Sequence, residues 1–285
     1  MVKSWMISGA GAAVLIGGAV AFAFKAHRNA MVEAANAYAQ VAAQRALPPK
    51  RFDPQQVAHL PEIAQRYFRH AIAPGTPLYS VAEIEMEGTF LLGGKDKFQV
   101  YEMSARQVLR PPDEFVWMPK LSSGAITITG SDALVQGEAW TRFWLHRLLP
   151  VAQVRTSPDL VRSAQFRAVV EGALWLPASL LPEHGVEWEQ VGADEAKITL
   201  RDVRPEVVLR LKLQSGGSIT EVTGQRWSNA NRDETFRLQP FGGTVSAEET
   251  FAGFTIPTEV AVGNHYGTSD YLPFFQARVV RAVYR

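Results

Sequence analysis

Residues 82–94, AEIEMEGTFLLGG, decide the fold class. Ile84, Met86, Phe90 and Leu92 occupy even positions; Glu83, Glu85, Glu87 and Thr89 occupy odd ones. Side chains of a strand alternate between its faces, so this period of two gives one apolar and one charged face. Gly93-Gly94 signals a turn, and Phe98–Leu109 reads as the returning strand of a hairpin.

The same reading extends in both directions. Short strands are expected near Phe115–Trp117, Ala125–Thr129 and Leu134–Trp140, with Ser131-Asp132 as a tight turn between the last two. Later, Ile198 and Leu200 alternate with Lys197, Thr199 and Arg201, and Val207, Leu209, Leu211 and Leu213 alternate with Val208, Arg210 and Lys212. Gly216-Gly217 turns into Ile219–Trp227. Phe236, Val245–Phe251, Phe254–Val262 and Phe274–Tyr284 complete the set. One helix precedes the strands and another interrupts them. The first runs from about Pro61 to Ala71, with Ile63, Tyr67 and His70 on one face. The other starts at Pro158-Asp159 and reaches Trp175, with Leu160, Ala164, Ala168, Glu171 and Trp175 on one side. About ten strands joined mostly by short turns predict an α+β, mostly β fold: one antiparallel sheet curled on itself. Residues 50–285 read as a single β-rich domain.

Trp5–Phe24 contains no charged residue. As a helix, about 20 residues span roughly 30 Å, the thickness of a bilayer's hydrocarbon core. Residues 1–28 therefore read as a transmembrane anchor or a signal segment. Ala21-Phe22-Ala23 offers a cleavage site, but the apolar run is long for a signal peptide, which favours an uncleaved anchor. Residues 29–49 are rich in Ala, with Glu33, Gln40, Gln44 and Arg45 interspersed; they read as a helical stalk ended by Pro48-Pro49. Charge is similar on both flanks of the apolar run, so the positive-inside rule does not set its orientation.

Composition narrows the chemistry. Net charge is +1 over 285 residues, so no general attraction to nucleic acid is expected. The absence of cysteine removes disulfides, thiolate ligands and a thiol nucleophile. No G-x-S-x-G, H-E-x-x-H, P-loop or EF-hand pattern occurs. The six histidines show no ligand spacing, so neither a metal site nor a cofactor is expected. The aromatics are more informative. Trp140, Phe143 and Trp144 cluster, Trp175 and Trp188 flank Pro177–Pro182, and Phe274-Phe275 lies near the end. They read either as core or as the wall of a cavity for an apolar ligand. Glu171 sits mid-helix, one turn after Arg167 and one turn before Trp175. It reads as a surface i, i+4 pair with Arg167 or as a buried carboxylate at a cavity wall, meeting Arg226 from a strand.

The segment Glu171-Gly-Ala-Leu-Trp175-Leu-Pro177-Ala-Ser179-Leu-Leu181-Pro182, followed by Val186-Glu-Trp188, resembles a bacterial family of unknown function. That family carries E-x-x-x-W-x-P, then [ST]-L-L-P, then a strand that begins with Trp. Pro61–Tyr67 and Ile256-Pro257-Thr258-Glu259 add to the likeness, which covers roughly residues 60–285. Asn264-His265-Tyr266 departs from the family pattern, where a Trp is expected. The layout also resembles the periplasmic lipoprotein-carrier half-barrel. That resemblance implies helices packed on the concave face of the curled sheet, shelter for acyl chains, and a domain on the periplasmic or extracytoplasmic side of a bacterial inner membrane.

The reading is a single-pass, membrane-tethered envelope protein that binds or carries a lipid or acyl chain. The membrane contact is through residues 5–24, and the candidate cavity residues are Glu171, Trp175, Trp188, Arg226, Trp140 and Trp144. Two alternatives stand beside it: an enzyme with a cryptic site around Glu171, Arg226 and His265, and a structural partner in an envelope complex. The sequence does not specify the oligomeric state.

Overall fold

Alternation in successive segments pairs them into one antiparallel sheet. The structure, a computed structural model, describes residues 4–44 and 50–285, with side chains from residue 18 onward. Three α-helices and thirteen strands occur among them. The first helix, α1, is Ser4–Ala43; α2 is Glu62–Ala71. The first six strands are β1 (Ala82–Gly94), β2 (Lys97–Arg110), β3 (Glu114–Ser123), β4 (Ile126–Val135), β5 (Glu138–Leu145) and β6 (Leu149–Arg155). Helix α3 (Pro158–Trp175) follows, then two short 3-10 turns, Pro177–Leu180 and Pro182–His184. The remaining strands are β7 (Val186–Gln190), β8 (Glu195–Leu200), β9 (Val207–Leu213), β10 (Ile219–Ser228), β11 (Arg237–Phe251), β12 (Phe254–Asn264) and β13 (Leu272–Tyr284).

The spatial order is β6-β5-β4-β3-β2-β1-β13-β12-β11-β10-β9-β8-β7. The first and last strands meet at the centre, with Ala82 opposite Tyr284 and Phe90 opposite Phe275. The edges are β6 and β7, and the chain between them contains α3. A sheet of thirteen strands at about 4.8 Å spacing is roughly 58 Å across, whereas an 18-residue helix is about 27 Å long. The curl brings the two edges within reach of that helix.

Apolar inner positions meet α2 and α3. Ile63, Tyr67 and Phe68 of α2 and Phe166, Val169, Val170 and Trp175 of α3 share one buried core with Ile84, Trp117, Ile198, Leu209 and Ile256. The outer face is covered over β1–β5 by α1. There Val41, Ala37 and Tyr38 pack on Val81, Val108, Val116, Ala133 and Trp140. Residues 29–43 are thus no free-standing stalk. Ala30 and Ala34 are small enough to bring the helix close to the sheet, and buried Arg142 reaches Glu33 at 2.6 Å. The expected Pro48-Pro49 stop lies outside the described residues, and the helix ends before it.

Two local expectations are corrected. Ser131-Asp132 is not a turn: β4 runs through it, opposite Arg142 and Thr141 of β5. Ser131 Oγ accepts from Trp140 Nε1 (2.9 Å) and Thr141 Oγ1 donates to Asp132 (2.9 Å), so cross-strand partners satisfy both residues. The turn falls at Gln136-Gly137, where φ is positive at both residues (52° and 78°). Strand β6 was not foreseen, because Pro150 breaks the strand signal; an edge strand tolerates proline on its unpaired side.

Trp140 joins α1 to the sheet by burial and by its bond to Ser131. Trp140→Ala should lower unfolding free energy by about 3–5 kcal/mol in urea titrations. It should also speed amide exchange in residues 30–43 ahead of the inner core.

Candidate functional site

Helix α3 is well delimited. Ser157 caps its start by accepting from the Leu160 amide (3.1 Å), and Pro158 takes the first turn. Its far end is seated by Trp175, whose Nε1 donates to the Pro257 carbonyl of β12 (3.2 Å). Gly172 permits a close approach: a Cβ there would lie 2.8 Å from Pro111 Cγ. Between α3 and the inner face of the sheet lies a cavity of about 620 Å³.

Most of this cavity is apolar. Phe90, Trp117, Phe143 and Phe275 form the sheet wall, with ring centroids 5.8–6.4 Å apart in tilted or edge-on contacts. Phe166, Val170 and Leu174 face them from α3. Phe274 and Phe241 close another side, 6.4 Å apart. Leu92 and Val151 both line the cavity and reach solvent, at 38% and 50% exposure, and so mark its mouth beside β1 and the β6 edge.

A chain of charged groups crosses one wall. Glu171 is 7% exposed. It accepts from Arg167 Nε (2.7 Å) and from Gln107 Nε2 of β2. Arg167 also donates to Asp132 of β4 (2.6 Å) and lies over the rings of Phe115 and Trp117, 4.5 and 5.1 Å from their centroids. Burial pushes the Glu171 carboxyl above the usual glutamate range; Arg167 and Gln107 oppose this without cancelling it. Arg226 of β10 enters from the other side. Its Nε donates to Ser163 (3.1 Å), and its guanidinium lies 5.4 Å from the Phe241 centroid. Burial, then the positive charge of Arg167, bring its pKa down to about 10, so it stays a cation at neutral pH. Among the described residues Arg226 forms no ion pair, whereas Arg167 has two carboxylates. The cavity therefore holds one cation balanced only at a distance.

Glu171, Trp175 and Arg226 line this space together. Glu171 does pair with Arg167 at i, i+4, but inside rather than at the surface; it does not bond Arg226. Trp188 is elsewhere. Its ring meets those of Tyr67 and Phe68 of α2 in tilted and edge-on contacts (centroids 5.2 Å each), and its Nε1 donates to the Leu180 carbonyl (3.0 Å). Trp140 and Trp144 point to the outer face, where Trp140 meets α1 and Trp144 meets the His27 ring at 5.3 Å. The cluster Trp140-Phe143-Trp144 is split by strand alternation, and only Phe143 turns inward. His265 lies in the turn after β12 and bonds the Ala230 carbonyl (2.9 Å), away from Glu171. Among the described residues no three His, Cys, Asp or Glu side chains group to hold a metal ion.

Asp132, Gln107, Trp117, Phe166 and Phe241 were not foreseen at the site. Asp132 carried a usable signal. Once β4 is continuous, Ile128 and Asp132 share a face, and a carboxylate on an apolar face demands a cation.

The likeness drawn from residues 60–285 bears on this region. "Family of unknown function (DUF6544)" matches residues 50–277. The chain belongs to that family. This DUF6544 chain is also similar to two solved structures. A LolA superfamily protein from Nitrosomonas europaea shares 11% identity over 78% of this chain and 92% of its own, with a TM-score of 0.39. A putative outer membrane lipoprotein-sorting protein domain from Vibrio parahaemolyticus shares 10% over 79% and 91%, with the same TM-score. Comparison with curated proteins returns no match.

A carboxyl whose pKa is higher folded than unfolded binds its proton more tightly in the native state. Its contribution to stability is complete below the unfolded glutamate value, about 4.3, and is lost as pH rises through the folded value. Glu171→Gln lacks this term. Chemical denaturation from acid to neutral pH should therefore show wild type losing stability relative to Glu171→Gln as pH rises.

Proposed function

We propose that this is a membrane-tethered cell-envelope protein that takes an apolar chain, of a lipid or an acyl group, into the space between its sheet and α3. The ligand's anionic head lies against Arg226. One observation carries the reading: the inner face is built of large aromatics, yet the protein's own side chains leave about 620 Å³ among them. Ligand pockets span roughly 300–1,000 Å³, mostly apolar with a few placed polar groups. Each methylene taken from water contributes about 0.8 kcal/mol, so a chain of moderate length offsets the entropy lost on binding. Arg226 supplies orientation, as the cation facing this space without a carboxylate of its own.

The tether rests on the sequence. Among the described residues no helix is long and apolar enough to cross a membrane. Most of Trp5–Phe24, the proposed span, has its side chains outside those described. The backbone from Ser4 is helical, and the apolar composition of this stretch supports a span. Placement on the periplasmic or extracytoplasmic side of a bacterial inner membrane is part of the proposal and rests on the layout's resemblance to the periplasmic lipoprotein-carrier half-barrel. A structural-partner role calls for exposed aromatic patches, and Trp140, Trp144, Trp175 and Trp188 are all buried.

Purified full-length protein should carry lipid detectable by native mass spectrometry. It should also bind cis-parinaric acid saturably, with a rise in Tm. Leu174→Trp, which fills the cavity, should weaken that binding at least tenfold. Arg226→Gln should weaken binding of the acid about tenfold, the loss of one charge-assisted hydrogen bond, and leave a long-chain alcohol unaffected. Protein that copurifies with no lipid and gains no Tm from any amphiphile would sink the proposal.

A further inference from the structure

The outer helix has a direction relative to the sheet. Tyr38 of α1 bonds Glu83 at the start of β1 and the Gln107 carbonyl near the end of β2 (3.1 and 3.3 Å). About three helical turns earlier, His27 bonds Thr129 near the start of β4 (3.0 Å) and meets Trp144 at the end of β5. Towards its N-terminus α1 thus runs to the edge where β1–β2, β3–β4 and β5–β6 make their turns. Ala21, Phe24, Lys25 and Arg28 border a cleft with Arg147 of the β5–β6 turn. Beyond His27 the helix leaves the sheet, and Val20, Phe22 and Phe24 are exposed. The remaining helix back to Trp5 rises roughly 30 Å, the length of the span proposed above.

The three turns at this edge carry apolar side chains in water. Phe98 and Val100 are 45% exposed, Ile126 39% and Leu149 59%. Val151 and Val154 continue the series along β6, an edge strand, and an exposed apolar edge left to solvent is an aggregation site. Cations surround them: Lys95 and Lys97 at the first turn, Arg147 at the third, Lys25 and Arg28 on the helix, against Asp96 alone among the acidic residues of these turns. Apolar side chains ringed by basic ones match the interface of a membrane bearing anionic lipid. Leu92 and Val151, which mark the cavity mouth, lie beside these same turns.

We propose that the β1–β2, β3–β4 and β5–β6 turns rest on the surface of the bilayer that α1 enters, so that the cavity opens against lipid. This rests on the membrane tether proposed above and adds to it an orientation and a docking surface. The ligand then passes from the bilayer to the cavity without crossing water, and the exposed edge of β6 is covered.

The cysteine-free chain allows a direct test. Full-length single-cysteine variants Phe98→Cys, Ile126→Cys and Leu149→Cys carry a nitroxide. Asp113→Cys and Glu138→Cys, at the opposite turns of the same strands, serve as references. All five sites are exposed or at turns, and circular dichroism with thermal unfolding verifies the fold of each. The proteins are reconstituted into phosphatidylcholine vesicles with and without phosphatidylglycerol. Collision of the label with lipid-soluble oxygen is compared with collision with a water-soluble nickel chelate. The oxygen-to-nickel ratio should be several-fold higher at positions 98, 126 and 149 than at 113 and 138, and should rise further with phosphatidylglycerol. Equal ratios at all five positions in both vesicles overturn the proposal, even if amphiphile binding to the cavity is intact. Dipolar broadening between labels on separate chains would assign the surface to a second copy and overturns it too. Protein that washes off the vesicles in alkaline carbonate overturns both the tether and the docking surface, and leaves the cavity reading to its own binding assay.

Discussion

The connection from β6 to β7 governs the architecture. These strands are the two edges of one sheet, and the chain joins them across its inner face through α3. A flat sheet of this width would separate them by more than the helix spans. Curling shortens the distance, and the natural twist of antiparallel strands supplies the curl. A helix about 10 Å thick lying across a concave surface cannot touch it everywhere. Contact is made at Trp175 and Glu171 towards one end, at Arg167 in the middle, and at Asp159 and Ser163 towards the other, and the space left between the helix and the aromatic wall is the cavity.

The charged chain Asp132–Arg167–Glu171–Gln107 belongs to this same constraint. Each member comes from a different element or turn: β4, α3, α3 one turn later, and β2. Buried ion pairs are rarely a net source of stability, because desolvation offsets attraction. Their use here is positional. Arg167 fits only where both carboxylates converge, which sets the height and rotation of α3 above the sheet. Because Arg167 is satisfied internally, Arg226 is left as the cation available to a guest, and the two roles are divided between neighbouring arginines.

A second helix covers the opposite face, and the two covers differ in kind. Helix α1 lies close on β1–β5 through Ala30, Ala34 and Val41, and parts from the sheet towards its N-terminus, where a cleft opens beside Arg147. Small residues permit that fit, whereas the inner face and α3 meet through Phe, Trp and Arg side chains that hold them apart. The aromatic-walled cavity lies on the inner side, and α1 departs at the edge where that cavity has its mouth.

Antiparallel pairing, the mostly β class, α2 and α3 were legible in the sequence, because period-two and period-3.6 apolar patterns are local. Glu171 was legible as a carboxylate out of place on an apolar helix face, and its neighbour Arg167 as one of two possible partners. Trp140 and Trp144 were misread: a cluster in sequence is divided between two faces by strand alternation, and only the register with β4 reveals which residues turn inward. Asp132 was hidden by its likeness to a turn residue, and β6 by a proline that an edge position excuses. What the sequence determined by itself is the alternation, the helix boundaries and the apolar N-terminal run, all properties of neighbours within a few residues. Which faces meet, which arginine is left without a carboxylate and where the cavity opens were decided by the tertiary structure, because they depend on curl and on contacts between residues dozens to hundreds of positions apart.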